Sequence, residues 1–231
     1  MRLTLAHLPA HRAGLLLTAL LAVVSCSSAT DPNPSPPAPT VDLTGYFVLP
    51  SAGFQKFYTG GFSQAWSQDT TVNGTLSADL EDNAGLHEYL ATADRAWVAT
   101  LDTAAGGTLY LLSPPLAALP DKMPASGSHV GNSGFVTTTG TIPVRRISRL
   151  MDTGLVDTVP AGIFDSVALV RQEFWVFTKN GLGIPDTLVD SAFRWFAPGV
   201  DEIRRVLWRD GDVDSTLREF VGGTVGGNSY P

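Results

Sequence analysis

Histidine is scarce in this 231-residue chain, and beyond the first 25 residues only His87 and His129 occur. Ser128 and His129, with Asp121 nearby, supply the residue types of a nucleophile, a general base and an orienting carboxylate. Adjacent serine and histidine side chains do not naturally face each other, and no G-x-S-x-G elbow is present. A polar surface loop is therefore expected there in preference to a hydrolase site. Asp210, Asp212 and Asp214 alternate as the first carboxylates of a calcium loop do. Ser215 stands where an EF-hand needs glycine, and Val221 where it needs a bidentate glutamate, so an Asp210-Gly211 hairpin turn explains the trio more simply. Glu88, Glu173, Glu202 and Glu219 are scattered among Arg171, Arg204, Arg205 and Arg218, a pattern that predicts cross-strand ion pairs. No catalytic residue, no metal site and no cofactor is expected: zinc would lack thiols and neighbouring imidazoles, and neither glycine pair has the strand–loop–helix context that cradles phosphate.

The one cysteine, Cys26, rules out an internal disulfide and a thiol redox pair. It sits at the end of a segment with Arg2 and Arg12 followed by an apolar run from Ala13 to Val24, the charged and hydrophobic regions of a secretory signal. The run is too short to span a bilayer as a permanent helix. Val23-Val24-Ser25-Cys26 resembles the lipobox of bacterial lipoproteins, a resemblance that implies cleavage before Cys26 and acylation of that residue. Two or three chains at about 0.8 kcal/mol per buried methylene would anchor firmly. Ser27 after the cysteine favours outer-membrane sorting over retention in the inner membrane. The expected location is the bacterial cell envelope, facing the periplasm or the cell surface, with the membrane as a partner through the lipid.

Formal charge is −7, from 15 basic and 22 acidic residues; with Arg2 and Arg12 set aside, 13 against 22 leaves −9 for the remainder. That balance argues against nucleic acid and against adhesion to anionic lipid through a basic patch. Residues 26–40, with prolines at 32, 34, 36, 37 and 39, cannot build a core and are expected as an extended tether. The folded domain is expected over 41–221, and 222–231 as a flexible glycine-rich tail.

Within 41–221, turn signals such as Val72-Asn73-Gly74, Pro160-Ala161-Gly162 and Pro198-Gly199 separate segments rich in Val, Thr, Phe, Tyr and Trp. This predicts an all-β, mainly antiparallel fold: a long β-meander with few or no helices. Strands are expected near 45–49, 54–59, 64–72, 75–80, 87–92, 96–102, 108–113, 135–139, 143–150, 164–178, 190–197, 203–209 and 215–221. Leu86, Leu90, Ala93 and Trp97 also fall at helical spacing, so 84–101 stands open between helix and strands. Pro114–Gly134 has no strong period and is expected as a long loop. Along 163–177 both alternating sets are apolar, which suggests a strand covered on each side or lining an apolar cavity.

The segments DTVPAGIFDSVALV (157–170) and FRWFAPGVDEIRRV (193–206), with TGYFVLPSAGFQKFY (44–58), TVNGT (71–75) and the 114–134 loop, resemble a group of bacterial envelope lipoproteins carrying VPAGxF and WFAPGV motifs. Phe54 or Phe57, Phe135 and Asp201 depart from that group's pattern, where tryptophan, tryptophan and glycine stand. The resemblance implies a strongly bent sheet or half-barrel, similar to those of periplasmic lipoprotein carriers, with an apolar concave side. It carries no catalytic residue. Together these observations predict a membrane-anchored, non-enzymatic envelope lipoprotein that binds a lipid or acyl chain, with Trp175, Phe177, Phe193 and Trp195 as candidate lining residues. The alternative is a structural or assembly factor that binds an envelope protein; a hydrolase or calcium-binding protein comes third.

Overall fold

The computed structural model describes residues 38–103, 106–179, 185–209 and 215–231. Cys26, the tether up to residue 37, and Asp210, Asp212 and Asp214 lie outside the described residues. The chain forms β1 (Thr40–Asp42), β2 (Gln55–Tyr58), β3 (Ser63–Val72), β4 (Thr75–Asp82), β5 (Leu86–Ala91), β6 (Ala96–Asp102), β7 (Thr108–Ala117) and β8 (Lys122–Pro124). It continues through β9 (His129–Thr137), β10 (Gly140–Val159), β11 (Gly162–Lys179), β12 (Pro185–Ala197), β13 (Asp201–Arg209), β14 (Thr216–Val225) and β15 (Asn228–Tyr230). Among the described residues no α-helix interrupts them, and two single 3-10 turns lie at Thr44–Tyr46 and Thr59–Gly61.

Twelve antiparallel strands form one ring in the order β13-β12-β11-β10-β9-β7-β6-β5-β4-β3-β2-β14, closed by pairing of β14 back onto β13, with β15 added beside β14. The bent sheet expected from the sequence thus bends until it closes into a barrel, which removes most free strand edges. Closure is shared along one strand: Thr216–Glu219 of β14 pair with β13, whereas Phe220–Thr224 pair with β2. Shifts of register at Trp66/Gln68, Tyr89/Leu90, Trp195/Phe196 and Phe220/Gly222 supply the local bends that curling requires. Asn73 and Gly74, at φ 48° and 80°, make the tight β3–β4 turn predicted from their dipeptide. The shortest ladder is β7–β9, with only Leu111↔Val136 and Leu112↔Phe135. Pro114 and Pro115 follow in β7 with no N–H to donate.

At the end of the barrel where β12 turns into β13, the two-stranded β1–β8 ribbon packs Leu43, Leu119 and Met123 against Ala168, Val170 and Phe196. At the same end the tip of the β10–β11 hairpin folds onto β14, with the Ala161 amide donating to the Phe220 carbonyl at 3.1 Å. Val159, Ala161, Ile203, Phe220 and Val225 form one buried cluster there.

One open choice is resolved and three expectations need correction. Residues 84–101 are strands β5 and β6, because alternation wins over helical spacing: Leu90 and Trp97 face the barrel interior while Tyr89 and Ala99 face out. Residues 44–46, overlapping the start of the expected strand 45–49, form a 3-10 turn, and 47–50 have no ladder partner. The 114–134 loop holds the end of β7, all of β8 and the start of β9, because its scattered Leu116, Leu119 and Met123 are buried anchors. The 222–231 segment completes β14 and adds β15, whose Tyr230 ring packs 5.6 Å from that of Phe220. Its glycines are a packing requirement there: at Gly223, φ 141°, a Cβ would come within 2.1 Å of the Gln55 carbonyl oxygen.

Candidate functional site

Period-2 alternation sorts β10–β13 into two faces. One set, Arg146, Gln172, Phe174, Ala192, Arg194, Arg205 and Leu207, turns inward and meets Glu88 of β5 and Trp97 of β6 from the opposite side of the ring. Together they line a half-open chamber of about 170 Å³ that shares wall residues with smaller spaces of about 60 and 100 Å³. Asp190, solvent-exposed, stands at its rim.

The lumen is charged, and its charges are unevenly paired. Glu202 accepts from Arg205 Nε at 2.8 Å and lies 3.4 Å from Arg194 Nη1. Both come inward because the β-bulge at Trp195/Phe196 places Glu202 opposite Phe196. Desolvation would raise the Glu202 carboxyl, but Arg205, Arg194 and Lys56 outweigh it and hold the pKa below the usual range. Lys56, 1% exposed, sits 3.5 Å from Asp201 and donates to the Glu202 carbonyl, which also accepts from the Tyr58 hydroxyl at 3.2 Å.

Arg146 has no such carboxylate. It donates to the Ala117 carbonyl at 2.8 Å and places its guanidinium 4.9 Å from the Trp97 ring and 5.8 Å from that of Phe174. Burial, reinforced by Arg194, pushes its pKa down. Burial also lowers Arg194, whose buried Nε has no hydrogen-bond acceptor. Glu88 exerts its charge on Arg146, Arg194 and Arg205 from across the chamber, yet forms no ion pair or hydrogen bond among the described residues. Glu88, Arg146 and Arg194 are each partly buried, and partly buried charged groups left incompletely paired around a cleft make it a candidate functional site.

Trp175, Phe177, Phe193 and Trp195 belong to the other set and stand on the outer face of the barrel. There they form half-buried pairs: Trp175 stacks on Phe177 at 6.3 Å, and Phe193 meets Trp195 at 6.5 Å and Trp208 at 5.7 Å. Guanidinium groups cover several of them, Arg145 over Phe177, Arg171 over Phe193 and Arg204 over Trp195. An apolar ligand held by these four would lie outside the lumen.

Ser128, His129 and Asp121 are not joined into a triad. Ser128 Oγ accepts from Arg149 Nε at 3.0 Å, and Asp121 pairs with Arg95. Of the expected ion pairs, Arg204–Glu219 spans β13 and β14 at 2.9 Å, whereas Arg171–Glu173 lies within β11 at 2.8 Å. Sequence reasoning did not single out Arg146, Arg194 or Gln172. The available signal was a polar residue interrupting the inward apolar set of each strand, as Gln172 does between Val170 and Phe174.

No family model and no curated protein sequence matches the chain. Among solved structures it is similar to a candidate lipoprotein from Parabacteroides distasonis, at 14% identity over 78% of this chain and 99% of that one, with a TM-score of 0.38. It is also similar to a candidate exported protein with a YmcC-like fold from Bacteroides fragilis, at 11% identity over 76% and 98% of the two chains, with a TM-score of 0.33. Both likenesses are too distant to transfer the role of any residue.

Proposed function

We propose that this chain is a lipid-anchored protein of the bacterial envelope that binds a small polar ligand, without catalysis, in the lumen of its barrel. The signal segment, the lone Cys26 in its lipobox-like setting and the proline-rich tether support the anchor and an outer-membrane address. The observation that carries the binding reading is the chamber of about 170 Å³ bordered by Arg146, Arg194, Gln172 and Glu88 with Trp97 and Phe174 as walls. A hydrophobic core would have no reason to line a chamber with incompletely paired charged groups. An acyl chain inside the barrel fits poorly, because it would strip water from those charges and return no hydrogen bonds. The test is native mass spectrometry of the mature chain with Cys26→Ser, purified without detergent. A small-molecule adduct that is lost on unfolding supports the reading, and an apo mass unchanged by incubation with an envelope extract opposes it.

A second reading, docking of an envelope protein on the outer aromatic row, is favoured by Trp208, which is 37% exposed beside Phe193. Half-buried aromatics with adjoining arginines have the composition of protein-interface anchors.

A further inference from the structure

Resting on the lumen as the binding compartment, we propose that its ligand is a small zwitterion of the amino-acid class, its carboxylate held by Arg146 and Arg194 and its ammonium by Glu88. Three open groups border one chamber. Arg146 has two carbonyl acceptors, Ala117 and Ala118, and two aromatic faces, but no carboxylate within 4 Å among the described residues. Among the described residues Arg194 shares one carboxylate, Glu202, with Arg205, which holds that group closer, and leaves a buried Nε–H without an acceptor. Glu88 faces both across the space with no cation within 4 Å among the described residues.

Side chains of opposite sign on facing strands would be expected to close into a bridge if nothing were to come between them. Here Arg146 is tied back by the two backbone carbonyls and rests against the touching Trp97 and Phe174 rings, which preorganises it to face the chamber. A lone anion would satisfy Arg146 and Arg194 but bring a second negative charge toward Glu88. A lone cation would do the reverse to the arginines. A molecule with both groups completes all three, and the Trp97 and Phe174 rings give its carbon skeleton apolar contact. A cavity of about 150 Å³ already admits a benzene-sized molecule, so a chamber of this volume suits an amino acid better than a lipid.

The test is calorimetric titration of the mature chain carrying Cys26→Ser with L-leucine, L-glutamine and L-phenylalanine, each in turn. L-leucine is then compared with 4-methylpentanoate, which lacks the ammonium, and 3-methylbutylamine, which lacks the carboxylate. Binding of at least one amino acid is expected, with each single-charge analogue of L-leucine at least about tenfold weaker than the parent. Arg146→Met and Glu88→Gln should each abolish that binding while near-ultraviolet circular dichroism stays that of the parent. Equal binding of 4-methylpentanoate and L-leucine would overturn the proposal in favour of a plain anion seat, leaving the lumen as the binding compartment. Failure of all three amino acids, with a different lumen adduct found by native mass spectrometry, overturns the zwitterion alone. Failure of all three with no adduct overturns both.

Discussion

Arg146 and Glu88 face each other across the lumen, one on β10 and the other on β5, and neither closes to an ion pair. Elsewhere the barrel pairs its inward charges: Glu202 holds Arg205, and Asp201 holds Lys56. Glu88, Arg146 and the loosely held Arg194 are therefore left open beside these closed pairs, which separates the groups that build the fold from those available to a ligand.

That separation predicts opposite outcomes for two substitutions. Glu202→Gln leaves Arg205 and Arg194 buried without their carboxylate and should destabilise the protein by about 3–5 kcal/mol. Arg146→Met removes a cation that has no carboxylate partner and should stay within about 1 kcal/mol of the parent. Urea denaturation measures both, and equal losses would show that Arg146 is part of the structural network.

Acid stability should report Glu202. Its pKa is held below the ordinary 4.5 in the folded protein, so its contribution is present above that value and is lost as pH falls through the lowered folded pKa. Asp201 acts in the opposite sense: burial raises its pKa, so it disfavours the fold at neutral pH and that penalty eases as pH falls. A pH series of unfolding free energies should therefore decline below about pH 4.5 in the parent, and the decline should be shallower in Glu202→Gln. An unchanged acid limb in the variant would remove Glu202 from the account.

The outer and inner aromatics should differ in cost. Phe220, fully buried among Tyr58, Phe164 and Tyr230, should lose about 3–5 kcal/mol on change to alanine. Trp175, half-exposed on the outer face, should lose about 1–2 kcal/mol. Comparable losses would mean that the outer row is covered by something as a core would be.

Gly223→Ala places a methyl group 2.1 Å from the Gln55 carbonyl oxygen at a φ of 141°. It should break the pairing of β14 with β2 and cost more than about 2 kcal/mol. Hydrogen exchange at the β2 amides would locate the damage, and undisturbed protection there would contradict the closure described for the ring.

Much of the fold was legible because local chemistry and tertiary structure agree. Asn73-Gly74 makes its hairpin, Pro198-Gly199 makes its turn, and apolar residues of both sets in 163–177 are buried, Val167 in the cluster with Phe220 and Ala168 and Val170 against Met123, while Ile163 is exposed. What was hidden follows from geometry that one sequence does not carry. Nothing in 222–231 distinguishes a glycine needed for a 2.1 Å approach from one in a frayed tail until β2 is beside it. Likewise, the parity that turns Arg146 inward and Trp175 outward is set by ring closure and by bulges, each of which flips the alternation. Aromatic content pointed to Trp175, Phe177, Phe193 and Trp195, whereas the chamber is bordered by their neighbours Phe174, Ala192 and Arg194.

The lumen as a ligand compartment is tested most directly by a crystal structure of the mature chain with Cys26→Ser, grown after incubation with a small-molecule extract of bacterial envelopes. The account predicts continuous density for one organic molecule between Arg146, Arg194 and Glu88, in contact with Trp97. A chamber filled by ordered water alone, hydrogen-bonded from Arg146 to Glu88, would contradict it.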